Sequence, residues 1–345
     1  MANQKELAKL AGVSAGTVSN VVSGSKNVSD RARQKVLEAI RKVGYRPNLI
    51  ARSLKTSRTK TLGIVVPSLT FSFFPKLIRG AQFAAREHGY LLIVLESQDN
   101  EALELESIAL LDAQRVDGLL LISAATKRQG RANLSRTPSG PPIVYLDRVP
   151  YGLEADSIGV DGCAGAEMGV AHLLQRGHRE IAIITGSLAL SSERERLSGY
   201  RHALERKRIK VRDSLIWQGT EASEIGRICL DGLLRSKAKP SALFATNGGV
   251  ALEALGSIYA AGMSTPEDLA FVTFDEIAAA DFFQPAITCV VQPTFEMGRR
   301  AVELLLERIN NGAAPREFKK ILLPPKLVVR ASSSLKLGTG VKEEA

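Results

Sequence analysis

From residue 62 onward, short continuous apolar runs alternate with amphipathic stretches. The runs predict strands over 62–67, 90–95, 118–122, 143–147, 181–186, 243–246 and 269–274. The stretches between them predict helices such as 74–88, 101–115, 164–176, 193–207 and 250–261. β-branched runs without polar alternation belong to strands buried on both faces, and helices between such strands supply the covering layers. Two successive sets predict an α/β body of two doubly wound parallel-sheet lobes.

Residues before 62 carry a different period. Over 5–22 the pattern is two short helices around a tight turn: Leu7, Ala8, Leu10 and Ala11 form one apolar face and Gly12 supplies the turn. Ser14 caps a second helix over 15–22, whose inner face is Val18 and Val21. A third helix follows Ser29 as cap, with Asp30 in its first turn; Val36, Leu37, Ile40 and Val43 point inward and Gly44 stops it. This is the outline of an all-α, three-helix head with a helix-turn-helix. Pro47 and Asn48 then mark the start of a hinge helix of about two turns, too short to be stable alone in water. Residues 56–61 are polar and basic and read as a linker. The expected divisions are a head over 1–47, hinge and linker over 48–61, a body over 62–330 and a flexible tail over 331–345.

Charge sharpens this division. The 345-residue chain has a formal net charge of +10, and residues 1–60 hold 13 basic against 3 acidic side chains, leaving the body neutral with 33 of each. A local surplus of this kind marks a polyanion-binding head. In a helix-turn-helix the second helix enters the major groove of double-stranded DNA N-terminus first. Ser14, Thr17, Ser19 and Asn27 are then candidates for phosphate contacts, with Arg31, Arg33 and Lys35 adding positive field. Ala15, Gly16 and Asn20 face the bases, and Asn20 is the main hydrogen-bonding reader because the other two offer only close approach or a methyl contact. Asn48 joins the DNA-facing positions, and Leu49 or Leu54 of the hinge is free to wedge into a minor groove.

The remaining chemistry narrows the class. Gly12-Val13-Ser14-Ala15-Gly16 matches the hydrolase elbow GxSxG, but that motif needs a preceding strand with a partner His and acid. Three scattered cysteines give neither a disulfide framework nor a zinc site, and the four histidines lack HExxH spacing. No dinucleotide fingerprint or phosphate loop occurs, so no catalytic residue, metal or cofactor is expected. An N-terminus without an apolar signal region, and the lack of any run of about 18 apolar residues, predict a cytoplasmic protein with no membrane partner.

Ligands of open parallel sheets bind beyond the carboxyl ends of the strands. Those positions hold Ser68, Phe71, Phe73 and Phe74, then Leu190, Ser191, Ser192, Glu193 and Arg196, then Asn247 and Asp275. Rings with one Arg, one Asn and one Asp suit a small polar ligand that stacks on a ring and is fixed by a few directional hydrogen bonds.

The residues Ala8-Lys9-Leu10-Ala11-Gly12-Val13-Ser14, Thr17-Val18-Ser19, Val28-Ser29, Gly44-Tyr45, Pro47-Asn48 and Ala51-Arg52-Ser53-Leu54 resemble the head and hinge of the LacI/GalR family of bacterial transcription regulators. Gly63-Ile64-Val65-Val66-Pro67, Val116-Asp117-Gly118-Leu119-Leu120, Arg176-Gly177-His178, Gly199-Tyr200 and Phe274-Asp275 resemble the type I periplasmic-binding-protein fold of that family's body. The resemblance implies a repressor that binds a palindromic operator as a homodimer under control of a small-molecule effector, a sugar or related metabolite. It assigns Leu54 the role of minor-groove wedge and places Lys55 against the minor groove or the backbone. For the effector it implies Arg196, Asn247 and Asp275 and sets Leu190 and Glu221 in the pocket; with Phe73, Phe74 and Ser192 from the strand ends these make the expected effector residues. Two departures stand out: Gly248 replaces a frequent aspartate, and Leu190 and Glu221 replace larger or aromatic groups, so the effector class does not transfer. The tail lacks sustained a and d leucines, which favours a dimer over a tetramer. The alternative, a solute-binding protein, accounts for the body but not for the basic head.

Overall fold

The computed structural model describes residues 4–22, 27–44, 58–124, 140–220, 222–235, 239–311 and 317–334. It divides into two units, Met1–Thr59 and Lys60–Ala345.

The first unit contains α1 (Gln4–Ala11), α2 (Ala15–Val22) and α3 (Asp30–Val43). Gly12 joins α1 to α2 at φ 63°, a left-handed conformation that favours a residue without a Cβ. Ser14 Oγ accepts the Thr17 N–H at 3.1 Å, so the expected cap of α2 is formed. Ser29 caps α3 in the same way, and Gly44 closes it at φ 60° with its N–H donated to Ile40 O. Leu7, Ala8, Ala11, Val18, Val21, Val36 and Ala39 form the core. Three expected core residues lie outside it: Leu10 is 52% exposed and Leu37 and Val43 are 42% exposed. Leu10 and Leu37 sit at the margins of their helices' buried stripes. Val43 is the last residue of α3, next to the closing Gly44. Asn48, Leu54 and Lys55 lie outside the described residues.

The second unit holds two six-stranded sheets. Its elements are β1 (Thr61–Val66), α4 (Phe73–Glu87), β2 (Leu91–Glu96), α5 (Glu101–Ala113), β3 (Gly118–Leu121), β4 (Ile143–Leu146), β5 (Ser157–Val160), α6 (Gly162–Gln175), β6 (Ile181–Thr185), α7 (Ser191–Arg206), β7 (Ile216–Gln218) and α8 (Ala222–Arg235). There follow β8 (Ala242–Ala245), α9 (Gly248–Ala260), β9 (Ala270–Phe274), β10 (Thr288–Val291), α10 (Thr294–Asn311), β11 (Lys320–Leu323) and β12 (Lys326–Val328). The first sheet has the order β11-β5-β4-β3-β1-β2, and the second β12-β10-β9-β8-β6-β7. The first is parallel throughout, with Ile64 paired to Leu120. The second is parallel except that β12 runs antiparallel to β10.

Both faces of each sheet are covered, which is why the strands read as unbroken apolar runs. On β1, Leu62, Ile64 and Val66 pack against α4 and α10, while Val65 packs against α5. In the second sheet Phe244 and Val272 face α6 and α7, and Leu243 and Phe271 face α8 and α9. Helices α4 and α10 touch backbone to backbone: a Cβ on Gly80 would stand 1.9 Å from Phe295 O, and one on Gly298 2.0 Å from Leu77 O.

Two expectations are corrected. The lobes are interleaved rather than successive: the chain crosses between β5 and α6, returns between β10 and α10, and crosses again between β11 and β12. The helix α10 and the strands β5, β7, β10, β11 and β12 that complete this pattern were not among the expected elements. The tail does not start at 331 either, because Ser332 and Ser333 are fully buried. Ser332 Oγ donates to Phe271 O at 2.7 Å and accepts the Thr288 N–H at 2.8 Å. Ser333 Oγ lies 2.8 Å from His172 Nε2. A serine run reads as polar and exposed, yet here the hydroxyls satisfy backbone groups at the ends of β9 and β10.

Candidate functional site

In the first unit, α2 presents its N-terminal end to solvent. Ser14, Ala15, Gly16 and Asn20 are exposed, Thr17 and Ser19 are half-buried, and Asn27 is exposed in the turn before α3. Val18 and Val21 anchor the opposite side in the core, so the period of α2 separates a reading face from a packing face. The Ser14 hydroxyl, 2.9 Å from Thr17 Oγ1, belongs to the cap. No strand precedes it among the described residues, so the GxSxG match is a helix-turn-helix turn and not a nucleophile elbow.

The second unit encloses a cavity of about 470 Å³ between its two lobes, at the carboxyl ends of β1, β4, β6, β8 and β9. Phe73, Phe74, Leu190, Ser192, Arg196, Asn247 and Asp275 all line it, as the strand-end reading expects; Glu221 lies outside the described residues. Phe73 and Phe74 pack edge to face with centroids 5.1 Å apart, at the start of α4. Leu190 and Ser192 stand at the start of α7.

Arg196 is the electrostatic centre. It is only 4% exposed, donates to Thr246 O at 2.8 Å and lies 4.1 Å over the Phe274 ring. Its guanidinium stands 3.7 Å from Glu193, 3.8 Å from Asp147 and 3.8 Å from Asp275. Burial works against its charge, but Asp275, Asp147, Glu193 and Glu195 outweigh that and hold its pKa above the ordinary arginine value. Asp275 experiences the reverse balance: burial pushes its carboxyl up to about 6, with Arg196 and the Gln292 amide, donated at 2.6 Å, pulling the other way.

Asn247 is doubly committed. Its Oδ1 accepts the Val250 N–H at 2.9 Å and caps α9, while Nδ2 donates to Glu193 Oε1 at 2.8 Å. Glu193 Oε2 in turn accepts the Gly186 N–H at 3.0 Å and the Thr246 hydroxyl. Glu193 therefore ties the ends of β6 and β8 to α7 and fixes two cavity residues.

Sequence reasoning missed Asp147, Arg148 and Asp99. Asp147 ends β4 as Asp275 ends β9, and both adopt positive φ, 58° and 72°. Non-glycine residues in that region are uncommon and cluster at functional sites. Arg148 is paired to Asp99 and lies 3.6 Å from Asp147. The signal for Asp147 was present: it is the polar residue ending an apolar run, as Asp275 is. Nothing local marked its partnership with Arg196 of the other lobe.

The histidines serve elsewhere: His178 Nδ1 is 3.0 Å from Ser241 Oγ, and His88 Nδ1 is 3.0 Å from Ala84 O. Among the described residues, no three His, Cys, Asp or Glu side chains gather as a metal site. No described helix is long and apolar enough to cross a membrane.

Comparison with known proteins adds to this geometry. Residues 4–48 match the family described as bacterial regulatory proteins, lacI family, and residues 170–333 match the periplasmic binding protein-like domain. The ribose operon repressor of Escherichia coli (strain K12) is 33% identical over 333 residues, covering 96% of this chain and 100% of the repressor. Among solved structures, a Lac repressor dimer bound to operator and the anti-inducer ONPF is 26% identical with a TM-score of 0.83, covering 96% of this chain and 99% of that one. A transcriptional regulator CelR–cellobiose complex is 30% identical with a TM-score of 0.72, covering 96% and 100%.

Proposed function

The chain belongs to the lacI family of bacterial regulatory proteins, as a DNA-binding transcriptional repressor with an effector-binding domain, and we propose that it acts as a homodimer on a palindromic operator. The observation that carries this reading is the division of charge: the whole +10 resides in residues 1–60, the head and the segment after it, and the head exposes Ser14 at the cap of α2 with Ala15, Gly16 and Asn20 on that helix. Ser14, Thr17, Ser19 and Asn27 contact phosphates, and Asn20 reads a base edge while Ala15 and Gly16 permit close approach. Residues 48–61 supply the hinge helix and linker: Asn48 contacts DNA, Leu54 is the minor-groove wedge, and Lys55 lies against the minor groove or the backbone. The body extends from residue 62.

A small polar effector, a sugar or related metabolite, occupies the cavity between the lobes. Phe73 and Phe74 come from one lobe, Leu190, Ser192, Arg196, Asn247 and Asp275 from the other, so binding favours one lobe orientation. Across a dimer that orientation sets the spacing of the two hinges. Effector and operator are then linked, each changing the affinity for the other by the same factor. The protein is cytoplasmic and carries out no catalysis; Glu221 remains a proposed cavity residue.

Selection from random duplex DNA by the purified chain tests this reading. The expected product is a two-fold symmetric sequence bound by two chains, with footprints one helical turn or a multiple apart. Recovery of a single half-site bound by a monomer would overturn it.

A further inference from the structure

The body holds a second cavity, of about 770 Å³, enclosed by loop 149–155, strands β5 and β11 and the first turns of α7. It shares one described lining residue, Asp147, with the first cavity. The wall between the two is α7, whose period sorts its side chains. Ser192, Glu193 and Arg196 line the first cavity, and Ser191, Arg194 and Glu195 line the second. Helix α7 packs on the second sheet, whereas β5 and β11 belong to the first. A molecule in the second cavity therefore touches both lobes without entering the first cavity.

The charges of this lining are unbalanced. Asp147, Glu154, Glu195 and Glu317 stand against Arg194 and Lys320 among the described residues. Arg194 donates Nη1 to Leu188 O and Ala189 O at 2.8 and 2.7 Å. Glu154, Glu195 and Glu317 form no ion pair among the described residues. The N-terminus of α7 returns about half a positive charge, too little to cancel the excess of carboxylates. Asp147 has the strongest need of a donor. Its side chain is 10% exposed, yet it accepts no hydrogen bond among the described residues, and its cations stand 3.6 and 3.8 Å away. Burial, with Asp147 close by, holds the Glu195 carboxyl above the ordinary glutamate value against the pull of Lys320 and Arg196.

The rest of the wall is apolar. The Tyr151 and Phe318 side chains are 74% and 39% exposed, and Leu322 is 48% exposed. Rings beside carboxylates attract an ammonium group by the same sign of field, and an alkyl chain between ammonium groups covers the leucine. An anion would meet like charge in the carboxylates.

We infer that this cavity is a second ligand site, separate from the first, which takes an aliphatic amine carrying two or more ammonium groups, the chemistry of a polyamine. The ammonium groups donate to the carboxylates, and the alkyl segments lie against Phe318 and Leu322.

The test is calorimetry of the full-length chain, free of DNA, at pH 7 in about 0.15 M NaCl, where diffuse attraction is screened. Spermidine, putrescine and the monoamine n-butylamine are the probes, with citrate as the anionic control. The expected result is one spermidine per chain, held at least about fivefold more tightly than butylamine. Glu154→Gln, Glu195→Gln and Glu317→Gln, all at exposed positions, should each weaken spermidine by about threefold. Glu267→Gln, an exposed glutamate outside both cavities, should leave it unchanged. Hydrogen exchange in loop 149–155 should slow when spermidine binds. The inference is overturned if neither spermidine nor putrescine binds, or if Glu267→Gln weakens binding as much as the cavity variants do. Citrate binding that Lys320→Gln removes would reverse the sign of the site and overturn it equally. Each of these outcomes leaves the reading of the first cavity untouched.

Discussion

Replacing Arg196 by methionine tests whether the buried cation balances the carboxylates around it. Arg196 is 4% exposed and stands 3.7–3.8 Å from Glu193, Asp147 and Asp275. At that separation one ion pair is worth about 4 kcal/mol gross at an effective dielectric of about 20, before desolvation is subtracted. Removing one partner of a buried pair leaves an uncompensated charge and costs about 3–5 kcal/mol net. Arg196→Met should therefore lose about that much stability at pH 7, measured by urea unfolding through the single tryptophan, Trp217, which is buried in β7 of the same lobe. The penalty should also depend on pH. Asp275 is raised to about 6 from an unfolded value near 3.8, so its contribution is most favourable below the unfolded value and is lost as pH rises through about 6. In the variant Asp275 has lost its main counter-charge, so protonation at pH 5 relieves strain that persists at pH 7. Asp275→Asn is the control: relative to it, the wild type should lose about 1 kcal/mol between pH 5 and pH 7. A loss in Arg196→Met under about 1 kcal/mol at pH 7, or an equal loss at both pH values, would refute the reasoning.

Four further outcomes are expected. The logarithm of operator affinity should fall with the logarithm of salt concentration with a slope of about −0.9 per phosphate neutralised, read by fluorescence anisotropy; a flat response would sink the charge argument. Asn20→Ala should cost about 1–3 kcal/mol of operator binding and relax specificity at one base pair in a selection assay. Gly80→Ala should prevent native packing of α4 against α10, seen as loss of the cooperative thermal transition, because its Cβ would stand 1.9 Å from Phe295 O. Ser332→Ala should cost about 1–3 kcal/mol in urea unfolding, since it strands the Thr288 N–H and Phe271 O in a buried site. A value near zero would return residue 332 to the tail.

Much of the architecture is legible in one dimension because its causes are local. The cap at Ser14, the turn at Gly12 and the stop at Gly44 each depend on a few adjacent residues, and all three form. Strands buried on both faces leave an unbroken apolar run, so β1, β3, β6 and β9 lie within a residue or so of expectation. Short edge strands leave no such mark: β7 and β12 have three residues each. Seven of the eight expected effector residues could be placed and all line one cavity, because strand ends in such sheets converge.

By itself the sequence determined the three head helices and seven of the body's strands, that the net charge belongs to residues 1–60, and which strand ends carry polar groups. Tertiary structure alone decided that Asp147 of one lobe and Asp275 of the other meet at Arg196. It also decided that Ser332 and Ser333 close a sheet, and that the lobes are threaded through one another by three crossings. Periodicity and capping act over a few residues and are written in their spacing. Which carboxylate neutralises which cation depends on long-range closure of the chain, and side chains separated by 49 or 79 positions leave no trace in local pattern.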